Sequence, residues 1–270
     1  MIVILNGGLG NQLFQLSHAI HLSKELGLKV TLDKSILDNK WFQRVLRQTP
    51  TDYGLDDFTW DADVNVSSSK ATLLLVLLSK IFSKVSNGRV NIIGGDCVNG
   101  LSKYFLGYFQ NINLAKQYSQ LIHFREVDNK NKLIGEEISY NNSVCLHVRR
   151  GDYLALNNYY ASCSLRYYES VIEQCPIDSK VYVFSNDIKW CKTSGVFPDG
   201  SVFIDHNKAS NAYLDMYLLS KGKYLGVANS TFSVWAAIFS NANVYCPSEY
   251  YLGRPNDLKL DAWRVINNGK

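Results

Sequence analysis

Along the chain, short apolar runs of strand length alternate with longer stretches in which apolar residues return at helical spacing. Ile2–Leu5 is such a run, and it leads directly into Asn6-Gly7-Gly8-Leu9-Gly10-Asn11-Gln12. Leu13, Phe14, Ser17, Ile20 and Leu26 then mark the inner side of a helix that Gly27 is placed to stop. Lys29–Asp33 follows as a second strand, which completes a βαβ start. Residues 34–69 show no clear period and are rich in Asp and in aromatics (Trp41, Phe42, Tyr53, Phe58, Trp60), which form either a sugar-binding wall or ordinary core. Leu73–Phe82 is continuously apolar apart from Ser79 and Lys80. It reads either as a buried helix or as an interfacial helix, with Lys80 and Lys84 facing an anionic leaflet. Asn91–Gly95 reads as a strand and turn, Tyr104–Gln110 as an aromatic strand or turn, and Asn113–Phe124 as a helix.

The polar stretch Asn129–Asn142 predicts a boundary between two domains, 1–138 and 139–270. Beyond it the alternation becomes regular. Strands are predicted at Ser143–Val148, Lys180–Ser185, Val202–Asp205, Tyr224–Ala228 and Asn243–Cys246. Helices are predicted at Ser164–Gln174, Asn211–Ser220 and from Asn229 through Ile238. Buried strands that end in polar residues and alternate with helices predict an α/β fold with a parallel sheet and a ligand edge at the strand carboxyl ends.

Composition narrows this picture. A chain of 270 residues, 46% hydrophobic and 19% charged, has ample material for one large or two ordinary globular domains. The net charge of +4 comes without a long basic run, which suits an anionic small molecule or a weak membrane-surface bias and is thin evidence for nucleic acid. The six cysteines include no C-x-x-C pair, so they read as reduced core thiols, with no zinc site and a cytoplasmic setting. Met1–Asn6 reads as a strand and not a signal peptide, and no apolar run reaches the roughly 20 residues needed to span a bilayer.

Three strand ends carry candidate chemistry. The first is His147-Val148-Arg149-Arg150-Gly151-Asp152-Tyr153. Alternation along the strand puts His147 and Arg149 on one face, with Arg149 suited to a phosphate and Arg150 to a structural pair with Asp152. A solvated Arg-Arg-Gly-Asp turn is the plain alternative. The second is Asp187, whose carboxylate matches two N–H donors of guanine. The third is Asn229-Ser230-Thr231-Phe232-Ser233, where a helix start offers N–H groups and hydroxyls to phosphate, or is simply well capped. At the N-terminal end, Gly10 permits close ligand approach, and the amides of Asn11 and Gln12 suit a sugar or phosphate. Gly8-x-Gly10 with Asp33 keeps a nicotinamide-dependent oxidoreductase open, although the third glycine of that fingerprint is missing.

Four segments together resemble the bacterial α-1,2-fucosyltransferases of glycosyltransferase family 11: G-G-L-G-N-Q-L-F-Q (Gly7–Gln15), H-V-R-R-G-D-Y (His147–Tyr153), V-F-S-N-D (Val183–Asp187) and N-S-T-F-S-V-W-A-A (Asn229–Ala237). The resemblance implies a GT-B-like fold of two Rossmann-type halves with the donor cleft between them. It also implies an N-terminal acceptor-side domain and a C-terminal donor domain. GDP-fucose is the implied donor, transferred with inversion to O2 of a terminal β-galactoside in an oligosaccharide or glycolipid, without metal or cofactor. Under it Arg149 is the essential arginine on the β-phosphate. His147, Asp187, Gly10, Asn11 and Asn229 are donor contacts, and Ser230, Thr231 and Phe232 form the pyrophosphate loop. Asp152 is the nearest acid for a catalytic base. Fucosyltransfer to another linkage (α-1,3, α-1,6 or protein-linked) is the rival within the enzyme class. The resemblance places the enzyme in surface-polysaccharide biosynthesis, cytoplasmic or peripheral on the inner membrane face.

Overall fold

The structure is a computed structural model that describes residues 1–85, 103–151, 161–208 and 211–269. The expected strand and turn at Asn91–Gly95 lies outside the described residues. The chain divides into two compact units, Met1–Arg125 and Glu126–Lys270.

In the first unit, β1 (Ile2–Ile4), β2 (Val30–Asp33), β4 (Val64–Ser67) and β5 (Tyr104–Phe105) form a parallel sheet in the order β4-β2-β1-β5. Helix α1 (Leu9–Leu26) links β1 to β2 and ends where Gly27 turns left-handed at φ 60°, its N–H bonding to Leu22 O. Leu13, Phe14, Leu16, Ala19 and Ile20 are fully buried, but Leu26, expected on the inner side, is 55% exposed on the last turn. The stretch 34–69 is more ordered than its pattern suggests. It holds α2 (Lys40–Val45), a 3₁₀ turn at Leu55–Asp57, β3 (Phe58–Trp60) and β4, and leads into α3 (Lys70–Val85). Helix α4 (Ile112–Tyr118) is shorter than the helix expected over Asn113–Phe124. A 3₁₀ turn at Ser119–Leu121 stops it, and β6 (Ile122–Phe124) pairs antiparallel with β3. Phe58 and Phe124 stand opposite each other with ring centroids 5.1 Å apart. The preference of Ile122-His123-Phe124 for a strand therefore depends on a partner far upstream, which local periodicity does not register.

The second unit begins with α5 (Asn129–Tyr140), within the segment expected to be a linker. Asp128 caps it by accepting from the Asn131 N–H at 2.9 Å, and Gly135 admits the Tyr217 ring so closely that a Cβ would lie 3.0 Å from Cε1. With that packing, α5 falls in the compact unit Glu126–Lys270. There follow β7 (Ser143–Val148), α6 (Leu165–Glu173), β8 (Lys180–Ser185), α7 (Ile188–Thr193), β9 (Val202–Ile204), α8 (Ala212–Leu219), β10 (Tyr224–Gly226), α9 (Thr231–Phe239), β11 (Asn243–Pro247) and β12 (Arg264–Ile266). The sheet is parallel throughout, in the order β12-β11-β10-β7-β8-β9. Every residue of β7 is buried, as its central place requires. Val144, Leu146 and Val148 pack with Val181, Val183, Tyr167, Tyr168 and Val171. Tyr167 is fully buried, and its hydroxyl donates to Val227 O at 2.6 Å, which ties α6 to the end of β10.

Both sheets reverse their winding order. In the first, β2 and β5 flank β1; in the second, β8 and β10 flank β7. Strand ends diverge at such a reversal and leave a crevice beyond their carboxyl ends, where ligands of open α/β sheets bind. The first reversal collects Asn6–Asn11 and Gly107–Gln110, and the second collects Arg149–Gly151 and Ala228–Ser230.

Candidate functional site

The second reversal carries the densest chemistry. His147, at the end of β7, is 6% exposed, and its ring lies 5.4 Å from that of Phe232 in the first turn of α9. Burial, reinforced by the positive charge of Arg149, pushes its pKa down to about 3, so the imidazole is neutral at physiological pH. Its Nδ1 is buried with no hydrogen-bond partner among the described residues. On the neighbouring strand end, Asn229 is 1% exposed; its Nδ2 donates to Tyr250 O at 3.2 Å, while its Oδ1 also has no partner among the described residues. Two such atoms at adjacent strand ends mark a polar lining, because buried polar groups are otherwise almost always paired.

Arg150, beside Arg149 at the end of β7, is held by its surroundings. Arg150 lies flat over Trp190, its guanidinium carbon 3.6 Å from the ring centroid, and its Nε is 3.5 Å from Asp187 Oδ2. That separation makes a close ion pair and not a hydrogen bond. Its backbone N–H donates to Asn186 Oδ1 at 3.0 Å. Gly151 is required at this turn: its φ is +42°, and a Cβ would lie 2.4 Å from Asn186 Nδ2. Among the described residues the carboxylate beside Arg150 is Asp187; the expected partner, Asp152, lies with Tyr153 outside the described residues. β8 lies in parallel register beside β7, which brings Asp187 next to Arg150.

Asp187 is committed to its own chain on both oxygens. Oδ1 caps α7 by accepting from the Trp190 N–H at 3.2 Å, and Oδ2 faces Arg150. An Asp at the end of β8, just before a helix, was a readable N-cap signal. Trp190 and Asn186 are thus site-building residues that the sequence reading passed over.

Helix α9 begins at Ser230 with no side-chain cap. The Ser230 N–H turns back to Ala228 O at 2.7 Å, and Ser233 Oγ bonds Ala228 O and Ser230 O at 3.3 and 3.2 Å. The hydroxyls inside this turn brace the backbone, and the first-turn N–H groups of a nine-residue helix point out of the sheet edge.

At the first reversal, Gly7 takes φ +77°, and a Cβ there would lie 2.8 Å from Asn11 Nδ2. Asn11 Oδ1 accepts from Gln110 Nε2 at 3.0 Å, so the amide is oriented by the loop after β5. Gly10 is buried in the first turn of α1 and not in the loop. Gln12 is structural: it donates to Gly7 O and Asp52 O at 2.9 and 2.8 Å and accepts from the Gly54 N–H at 3.0 Å. Asp33 is 1% exposed, its oxygens accepting from the Ser35 N–H at 2.9 Å and Thr72 Oγ1 at 2.8 Å, which leaves no carboxylate to grip a ribose.

One buried acid lies apart from these groups. Asp215 on α8 has its pKa pushed up to about 6 by burial, opposed by the Asn207 amide that donates to it at 2.8 Å. Asn207 is in turn bonded to Asn131, the residue that Asp128 holds at the start of α5.

Comparison with known proteins agrees with this geometry. Residues 66–248 match the profile of Glycosyl transferase family 11. The chain is 29% identical to an alpha-1,2-colitosyltransferase of Escherichia coli, over 89% of this chain and 88% of that protein. It is 25% identical to the O-antigen biosynthesis glycosyltransferase WbnK of Escherichia coli, over 97% of this chain and 99% of that protein. Among solved structures, the NodZ alpha-1,6-fucosyltransferase of Bradyrhizobium, co-crystallised with GDP, superposes with a TM-score of 0.54 at 16% identity, covering 88% of this chain and 92% of that one. Arabidopsis thaliana FUT1 superposes with a TM-score of 0.50 at 12% identity, covering 96% of this chain and 71% of that one. The two parallel-sheet units are thus those of the GT-B fold, and a nicotinamide-dependent oxidoreductase is set aside. With a profile match across most of its length and a phosphate-suited arginine at the reversal of its second sheet, the chain belongs to glycosyltransferase family 11.

Proposed function

We propose that this protein transfers L-fucose from GDP-fucose, with inversion and without a metal ion, to O2 of a terminal β-galactoside on a glycan acceptor. The observation that carries the reading is the pairing of Arg149 with the uncapped start of α9 on adjacent strand ends at the sheet reversal. An acceptor hydroxyl attacks the anomeric carbon of fucose, the bond to the β-phosphate oxygen breaks, and GDP leaves. Arg149 and the N–H groups at Thr231 and Phe232, with the Ser230 hydroxyl beside them, take up the charge that grows on the leaving oxygen. Such preorganised donors are typically worth about 3–4 kcal/mol each in the transition state. His147 and Asn229 line the donor pocket and hydrogen-bond the donor.

A histidine whose pKa lies near 3 is too weak a base to take the acceptor proton, so that task stays with Asp152 in this proposal. Asp187, already engaged by Arg150 and by the helix it caps, acts mainly by holding Arg150 in place. The alpha-1,2-colitosyltransferase among the relatives supports α-1,2 linkage and also raises a colitosyl donor as a second reading.

The test is incubation of the purified protein with GDP-fucose or a colitosyl donor and a β-galactoside, with NMR assignment of the product. An α-fucosyl group on O2 is expected. Preference for the colitosyl donor would replace the donor assignment. An α-1,3 or α-1,6 product would replace the linkage, and absence of transfer from either donor would overturn the reading.

A further inference from the structure

Helices α2 and α3 lie on one shared cluster: Phe42 and Leu46 of α2 and Val76 of α3 bury together with Ile4 and Ile36. Each helix also exposes apolar side chains away from that cluster. Trp41 is 66% exposed and Val45 44%, one turn apart on α2. Leu74 (58%), Leu78 (38%) and Ile81 (57%) stand at i, i+4 and i+7 on α3, which makes them one stripe. Exposed Arg44 and Arg47 lie at and just beyond α2, and exposed Lys70 and Lys80 on α3; neither helix contains an acidic residue. The nearby acids Asp38 and Asp52 are already paired with Lys34 and Lys40. The charge is also asymmetric at the level of the units. Residues 1–125 hold 13 Lys and Arg against 9 Asp and Glu, while residues 126–270 hold 15 against 15, so the whole net +4 belongs to the first unit.

From this combination we infer that the α2–α3 face docks on an anionic membrane surface, with Trp41, Leu74, Leu78 and Ile81 entering the headgroup layer and Arg44, Lys70 and Lys80 meeting lipid phosphates. Basic residues around an apolar helix face, with a tryptophan at the margin, supply both the apolar and the electrostatic parts of interfacial binding. No helix among the described residues is long and apolar enough to cross a membrane, so the contact is peripheral. The inference stands independently of the donor and linkage proposed above.

The experiment is co-sedimentation of the full chain with phosphatidylglycerol-containing vesicles and with pure phosphatidylcholine vesicles. Wild type, Leu74→Gln/Ile81→Gln and Lys70→Glu/Lys80→Glu are compared, with thermal melts to show that each is folded. All four positions are exposed, so the variants remove nothing from the core. Wild type is expected to sediment with the anionic vesicles and to dissociate as salt is raised. Each double variant should partition at least about tenfold less, since each lost basic contact or buried side chain weakens interfacial binding by a factor of several. Failure of wild type to bind, or equal binding by the variants, overturns the inference. So does a concentration-dependent dimer that Leu74→Gln/Ile81→Gln abolishes, because the face would then belong to a second copy of the chain.

Discussion

Arg149 and Arg150 are adjacent in sequence and have opposite duties. Arg150 is held on three sides, by Trp190, Asp187 and Asn186, and this fixes the turn from which Arg149 projects. The proposal requires the planar fork of Arg149 and not only its charge. Arg149→Lys should therefore retain less than about a tenth of wild-type kcat, since one lost contact in the transition state at ~1.4 kcal/mol is already tenfold. A steady-state assay retaining more than that would remove the bidentate role. Asp187 separates two hypotheses. Asp187→Asn keeps an oxygen for the Trp190 N–H but loses the ion pair, whereas Asp187→Ala also loses the cap, worth about 1 kcal/mol. Chemical denaturation should rank the Ala variant below the Asn variant. If Asp187 only holds Arg150, calorimetric titration will show GDP and ADP weakened by the same factor. A loss confined to GDP would return base recognition to this carboxylate.

At the scale of elements, the polar network joining the start of α5 to α8 has a pH signature. The Asp215 carboxyl is favoured in its protonated form by burial, its pKa rising from 3.8 to about 6. The folded state therefore holds this proton more tightly than the unfolded chain does. The stability it supplies is complete below pH 4 and is lost as pH rises to about 6. Asp215→Asn cannot ionise and still offers an oxygen to Asn207. Its melting temperature relative to wild type should rise between pH 4 and 6 and then level off. A difference that stays flat across that window would show that Asp215 does not ionise within it. The capped start of α5, with Asp128 held low by its bonds to Asn131, anchors the other end of the same network.

For the whole molecule, the proposed mechanism has the charge on departing GDP met by an arginine and a helix start, in the place where a metal-dependent enzyme puts a divalent ion. Turnover should survive EDTA unchanged. Loss on chelation, restored by one divalent ion, would contradict the proposed mechanism.

Most strands of the second unit, several of its helices and the order of the four motifs were legible locally, because apolar period and capping residues act over a few positions. Arg149 and the α9 start could be proposed as phosphate-binding groups, and Asn229 as a donor contact, from local residue types alone. The partner of Arg150 could not, since it comes from β8, and parallel register, not adjacency, brings Asp187 beside β7. Likewise Ile122-His123-Phe124 became a strand only through Phe58–Trp60, and Asn129–Tyr140 joined the second unit only through packing on Tyr217. The sequence alone thus determined which residue types stand at each strand end. Tertiary structure decided which ends meet and which polar side chains are spent inside the fold, because pairing across a sheet and burial depend on residues distant in the chain.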